Sequence, residues 1–322
     1  MTTHRRNRLT ITLITAILLA LSSHGAWSQA GRTLKIVVPY TPASGPDILS
    51  RLMAEHIGRT QGLTVVVENR PGGGTVIGTE AAARAAPDGN TVLLVANGFV
   101  VNPALKKGNY DPLTSFESVC QLAATPIVLV VKGDSPYRSL ADMIAAARAK
   151  PGELALAAGG PATSLHFAFE VLKRAANINM TYVPYGGTAP AINALMGGHV
   201  MSVFADYPTV VGHLKSGTLR ALVTTSPARI DALPDVPTLT ETGVSKYEAE
   251  IFYGIVAPAK TPPDMISQLA GWFTAAMKSD EVKPKLALQG LFPSIKCGAD
   301  FSALIRRLVD DYTRVAQEAN IK

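Results

Sequence analysis

The sequence predicts an α/β protein in two lobes, with parallel sheets covered by helices on both faces. Three observations predict it. Short β-branched runs alternate with stretches whose apolar residues recur at helical spacing, the connections between them are short and rich in Gly and Pro, and the alternation restarts near Ile127. Strands and helices alternating through such short turns build parallel sheets. A chain of 322 residues also suits two cores better than one.

Residues 1–30 stand apart. Arg5, Arg6 and Arg8 precede an apolar stretch at residues 9–21, and Ser28-Gln29-Ala30 supplies small residues where a signal peptidase reads them. A bilayer span needs about 20 apolar residues. This stretch is shorter, so the segment reads as a cleaved export signal and the mature chain as periplasmic. Sec export accounts for it, although Arg5-Arg6 also fits the twin-arginine route; a retained signal anchor is the plainer alternative. Loss of the leader lowers the formal charge from +6 to +3, because 30 basic residues become 27 against 24 acidic ones. The remaining Lys and Arg are scattered and form no stripe with aromatic residues, which excludes nucleic acid and membrane surfaces as partners.

In the first lobe, residues 34–40 form a strand, and the turn after it leads to a helix with Ile48, Leu49, Leu52, Met53 and Ile57 on one face. The unit repeats: a strand at 63–67, the turn Arg70-Pro71-Gly72-Gly73-Gly74, and an alanine-rich helix at 77–86. Pro87-Asp88-Gly89-Asn90 ends that helix before a strand at 91–95. The second series has a strand at 127–131, a helix at 140–149, a strand at 154–157, a helix at 165–175, a strand at 181–183, a helix at 189–196, and strands at 200–204 and 219–224. A Pro-rich surface passage at 227–238 follows. A strand at 253–256 returns the chain to the first lobe, where helices at 265–277 and 301–319 complete it. Residues 31–126 with 255–322 thus compose lobe 1, and residues 127–254 compose lobe 2.

Three strand-to-helix junctions share one chemistry. Ala43-Ser44-Gly45-Pro46, Gly159-Gly160-Pro161-Ala162-Thr163-Ser164 and Gly186-Gly187-Thr188 place small or hydroxyl-bearing residues just before a helix. In open α/β sheets such loops converge on one crevice, and the unsatisfied N–H groups of a helix start attract anions without Lys or Arg. Ser44, Ser164 and Thr188 could equally be ordinary N-caps. Asp47 is either a carboxylate placed favourably in a first turn or the receiver of a ligand amino or hydroxyl group. His166 opens a helix with no companion base or nucleophile, so a structural role competes with a functional one.

Several chemistries are excluded. With Gly72 and Gly74 as the first two glycines of G-x-G-x-x-G, the third would stand at Ile77, and a Walker loop would need Lys at Thr79. The glycine run therefore reads as a tight turn, with Arg70 holding it. There is no G-x-S-x-G elbow, CxxC or HExxH, so neither an enzyme, a metal site nor a cofactor is expected. Cys120 and Cys297 either form a disulfide tying the C-terminal segment to the first lobe or stay two separate buried thiols.

Six segments recur in order along the mature chain. They are Lys35-Ile36-Val37-Val38-Pro39-Tyr40, residues 67–74, Ala85-Ala86-Pro87-Asp88-Gly89, residues 183–191, Leu233-Pro234-Asp235-Val236-Pro237-Thr238, and Ala257-Pro258. Together they resemble the periplasmic solute-binding receptors of tripartite tricarboxylate transporters, of the Bordetella-uptake type. The resemblance implies a type II periplasmic binding protein of Venus-flytrap form, closing a cleft between its lobes on a small organic acid and delivering it to membrane permease subunits without chemistry. The acid could be a di- or tricarboxylate, an aromatic acid or an amino acid. The resemblance also places ligand contacts at Tyr40, Ser44, Gly45 and Asp47, at Asn97, at Thr163, Ser164 and His166, at Gly187, Thr188 and Ala189, and at Asp206. Tyr40 and Phe99 could face an aromatic ring or merely pack. Where such receptors usually carry paired glycines followed by Ser or Thr in the first loop, this chain has Ala43, Ser44 and Pro46, which alters that loop's donors. Two rival functions remain at this level: a periplasmic enzyme on the same fold, and a sensor subunit acting on a signalling receptor.

Overall fold

The structure, a computed structural model, describes residues 31–42, 44–160 and 163–321; the predicted leader lies outside the described residues. Three strands come first: β1 (Thr33–Val38), β2 (Thr64–Asn69) and β3 (Thr91–Val95), separated by α1 (Gly45–Gln61) and α2 (Val76–Ala83). β1 pairs parallel with both β2 and β3. Successive side chains point to opposite faces of a strand, so Leu34, Ile36 and Val38 meet Leu49, Met53 and Ile57 of α1, while Val37 enters the core on the other face.

β4 (Phe116–Lys132) organises the rest. It is 17 residues long, buried along nearly its whole length, and it changes partners at its middle. Its first part pairs antiparallel with β9 (Glu250–Pro258), from Phe116↔Pro258 to Pro126↔Glu250, and with β10 (Phe292–Cys297). Its second part pairs from Ile127 with β7 (Ser202–Asp206) and from Val128 with β8 (Leu219–Thr224). Pro126, which has no N–H to give a ladder, stands where the partners change. Beyond it, β5 (Ala155–Ala158) pairs parallel with β6 (Thr181–Pro184) and β7. Parallel pairing, as expected from the alternating elements, holds for β1–β3 and β5–β7 only. β4, β8, β9 and β10 run antiparallel, which makes the sheet mixed.

Helices cover both faces of each half. The first half packs α1 and α8 (Pro263–Lys278) on one face, and α3 (Gly98–Ala104) and α10 (Ala299–Ala319) on the other. The second half packs α4 (Leu140–Ala149) and α5 (Ser164–Ala175) against one face, and α6 (Thr188–Met196) and α7 (Tyr207–Lys215) against the other. The short α9 (Val282–Leu288) joins α8 to β10. Cys120 and Cys297 sit opposite one another on β4 and β10 and form a disulfide that closes a separation of 177 residues.

The glycine-rich segment divides its labour in an unexpected way. Close packing of strand and helix falls to Gly78, where a Cβ would stand 2.7 Å from the Arg70 carbonyl oxygen and 2.8 Å from Pro39. Gly78→Ala is therefore expected to destabilise the fold by about 1–3 kcal/mol, as overpacking commonly does, read as a lowered denaturant midpoint; an unchanged midpoint would show that this contact gives way easily. Arg70 does not hold the turn. Its guanidinium donates to Glu68, and the turn is held instead by Asn102, whose Nδ2 donates to the Gly74 carbonyl at 2.7 Å.

Candidate functional site

A cleft of about 710 Å³ opens at the ends of the strands, within the range typical of small-molecule sites. Helix starts face it from several directions. Pro46 of α1, Gly98 of α3 and Ser164 of α5 line it, together with Thr163 and Asp206, the N-cap positions of α5 and α7. Five expected site residues are thus brought together: Tyr40, Asn97, Thr163, Ser164 and Asp206.

Their bonding shows how each is held. Thr163 donates its hydroxyl to the Gly160 carbonyl at 2.9 Å and caps α5 by accepting from the His166 N–H at 3.4 Å. Asn97 is a bracket: its Nδ2 donates to the Glu250 carbonyl at 2.9 Å and to the Tyr312 hydroxyl at 2.7 Å, and its Oδ1 accepts from the Phe252 N–H at 3.0 Å. Asp206 accepts from the Thr188 hydroxyl on one oxygen and from Thr209 at 2.6 Å on the other. Tyr40 and Tyr253 complete the wall. Burial raises both phenols above their ordinary range, the neighbouring Tyr253 adding to the effect at Tyr40 and the Asp206 charge adding to it at Tyr253. Both therefore stay protonated and can donate to an anion.

The other expected residues lie elsewhere. Ser44 occupies the N-cap position of α1, but its hydroxyl donates to the Thr41 carbonyl at 2.7 Å and does not cap the helix. Gly45 is one step behind the wall, against the Tyr253 hydroxyl. Asp47 is buried and accepts from Arg51 at 3.0 Å and from Asn69 at 2.9 Å, fastening α1 to the end of β2. Gly187, Thr188 and Ala189 do not line the cleft; the Thr188 hydroxyl donates to Asp206, so an internal carboxylate meets the start of α6. Phe99 belongs to the core, beside Tyr110 and Phe116.

His166 does not line the cleft either. Its ring stacks on Tyr182 at 4.1 Å between centroids and lies 3.9 Å from Glu170. Burial, with a smaller contribution from the Lys173 charge, lowers its pKa. A histidine whose folded pKa is depressed resists protonation in the native state, so the unfolded chain binds more protons below about pH 6.5. Stability is expected to fall as pH drops through and below that value, and His166→Gln should flatten the slope in pH-dependent denaturation. An unaltered slope would assign the effect to other groups.

Sequence reasoning missed a second wall, built by Gly73, Gly74, Thr75, Asn102 and Lys107. Thr75 is the notable member: a β-branched residue at φ 87°, a conformation that costs about 1–3 kcal/mol and persists where surrounding contacts enforce it. Asn102 supplies one such contact, donating to the Thr75 hydroxyl at 3.2 Å. Gly98 supplies the space, since a Cβ there would come within 2.9 Å of that hydroxyl. The run of three glycines before a helix was the available signal.

Residues 49–321 match the sequence profile of the TctC family, described as tripartite tricarboxylate transporter family receptors. The chain belongs to this family. It is 35% identical over 273 residues to the UPF0065 protein in the gbd 5' region of Cupriavidus necator, covering 84% of this chain and 83% of that one. It is 33% identical to Protein BugT of Bordetella pertussis, covering 90% of each. Among solved structures, R. palustris Rpa4515 with adipate superposes with a TM-score of 0.77 at 30% identity, covering 92% of this chain and 99% of that one. MatC from Rhodopseudomonas palustris with bound malate gives 0.73 at 25%, covering 88% and 98%. The fold is thus the α/β architecture of periplasmic binding proteins, and the family is one of solute-binding receptors. None of the helices among the described residues is long and apolar enough to cross a membrane.

Proposed function

We propose that this chain is an extracytoplasmic receptor that captures a small organic carboxylate in the cleft and passes it unchanged to the membrane subunits of a tripartite tricarboxylate-type transporter. One observation carries the reading: the starts of α1 and α5, from opposite halves of the sheet, face a single cleft whose tyrosines stay neutral donors. Helix starts and phenols hold a carboxylate without a paired cation. The adipate and malate held by two structural relatives support the same class of ligand. In this reading residues 1–30 are removed on export. The lobes divide at residues 126/127 and 254/255, and hinge closure brings the two sets of helix starts onto the acid. Direct ligand contacts come from Tyr40, Thr163 and Ser164, with Ser44, Gly45, Asp47, Gly187 and Thr188 supporting them from behind.

A thermal-shift screen of residues 31–322 against small carboxylates, amino acids and neutral sugars tests the proposal. An acid present at about 100 times its dissociation constant should add roughly 2.7 kcal/mol to native stability, and it should be recovered unaltered. Stabilisation by sugars alone, or recovery of a modified acid, would overturn the carboxylate or the no-chemistry half of the proposal respectively.

A further inference from the structure

Two groups of residues in the cleft wall are built differently. One comprises Pro46, Thr163, Ser164, Asp206 and Tyr253; the other is the loop Gly73–Thr75 with Asn102 and Lys107, tied together by hydrogen bonds. Among the described residues lining the cleft, Lys107 is the one cation and Asp206 the one carboxylate. The two are in different states. Asp206 already accepts two hydroxyl hydrogen bonds, whereas no carboxylate of the described residues lies within ion-pair distance of the Lys107 ammonium.

The main chain of Lys107 is held in place, while its side chain is exposed. Its N–H donates to the Asn102 carbonyl at 2.8 Å. Lys106 at φ 56° and Gly108 at φ 85° place left-handed residues on both sides of it. Gly108 is packed so closely that a Cβ would lie 3.0 Å from the Tyr110 ring and 3.2 Å from Val76. A non-glycine residue in the left-handed region is uncommon and marks a loop held by its surroundings. Asn102 holds the neighbouring loop as well, through Gly74 and Thr75. One side chain and its backbone therefore couple the strained Thr75 to the position of the lysine. Ala96, Val101 and Ile251 give the rest of the wall an apolar character suited to a methylene or ring spacer.

We propose that Lys107 is a specificity-determining residue: its ammonium receives a second anionic group of the ligand, so the cleft selects diacids over monoacids of the same length. The proposal rests on the reading of the cleft as a carboxylate site. A first carboxylate is held by helix starts and phenols, and the second meets the ammonium across an apolar spacer.

Isothermal titration at low ionic strength with three matched pairs tests it: succinate and butyrate, adipate and hexanoate, terephthalate and benzoate. For at least one pair, the wild-type protein should bind the diacid roughly tenfold or more tighter, as a hydrogen bond to a charged group provides. Lys107→Met should abolish that advantage by weakening the diacid alone, Lys107→Arg should retain it, and added salt should reduce it. Unchanged melting of the ligand-free variants shows that they fold. A diacid preference that survives Lys107→Met, or equal binding of diacid and monoacid by the wild type in every pair, overturns the proposal while leaving the receptor reading intact. If no acid binds the wild type, the receptor reading fails and this inference falls with it.

Discussion

Asn97→Ala is expected to destabilise the protein by about 3–4 kcal/mol, since each net hydrogen bond is worth about 1 kcal/mol and a buried group left unpaired costs more. Three partners are stranded together: the Glu250 carbonyl, the Phe252 N–H and the Tyr312 hydroxyl. The first two belong to the start of β9 and the third to α10, so one amide joins the cleft wall to the strand that brings the chain back and to the last helix. Asn97→Asp should be no milder: it keeps an acceptor for Phe252 and for the Tyr312 hydroxyl, but it buries a carboxylate against the Glu250 carbonyl oxygen. Equilibrium denaturation measures both. A loss below about 1 kcal/mol for the alanine variant would mean that water takes over these bonds and the bracket is unimportant. The same substitution loosens the start of α3, whose Gly98 lines the cleft, so affinity for a stabilising acid should fall along with stability.

Replacing Cys120 and Cys297 by serine is expected to cost roughly 3–5 kcal/mol, the upper part of the range for a disulfide closing so long a loop. The bridge spans 177 residues and lies beside α8, with the Thr274 hydroxyl 3.6 Å from the Cys297 sulfur. β10 depends on it. That strand is partly exposed and carries Pro293, and its register slips between Pro293 and Lys296, so backbone pairing alone holds it weakly. Denaturation of the wild type with and without reductant should reproduce the difference between wild type and double variant. Equal midpoints under both conditions would contradict a stabilising bridge.

The repeating strand–helix units were legible because the signals they rest on are local: a period of two for strands, about 3.6 for helices, and Gly or Pro between them. The elements that escaped are those whose local signal is broken. Residues 116–126 lie in the middle of the sheet, yet Glu117, Ser118 and Gln121 interrupt their alternation. α3 contains Pro103, and α7 starts on Tyr207-Pro208. The site divides along the same line. The starts of α1 and α5 could be read from their loops, because the chemistry of a helix start is written in adjacent residues. The second wall could not, since it is assembled from residues 73–75, 102 and 107 by tertiary packing. Asp47 had a readable explanation in Arg51 four residues on, a spacing that places both side chains on one helix face. Thr188 had none, because nothing near it in sequence reveals that Asp206 lies opposite.

The most direct test is a crystal structure of residues 31–322 grown with the carboxylate that raises its melting temperature most. The account predicts one intact acid in the cleft, with a carboxylate between the starts of α1 and α5 and donors about 2.7–3.2 Å from its oxygens. An acid bound away from these helix starts, or a chemically altered ligand in the cleft, would contradict it.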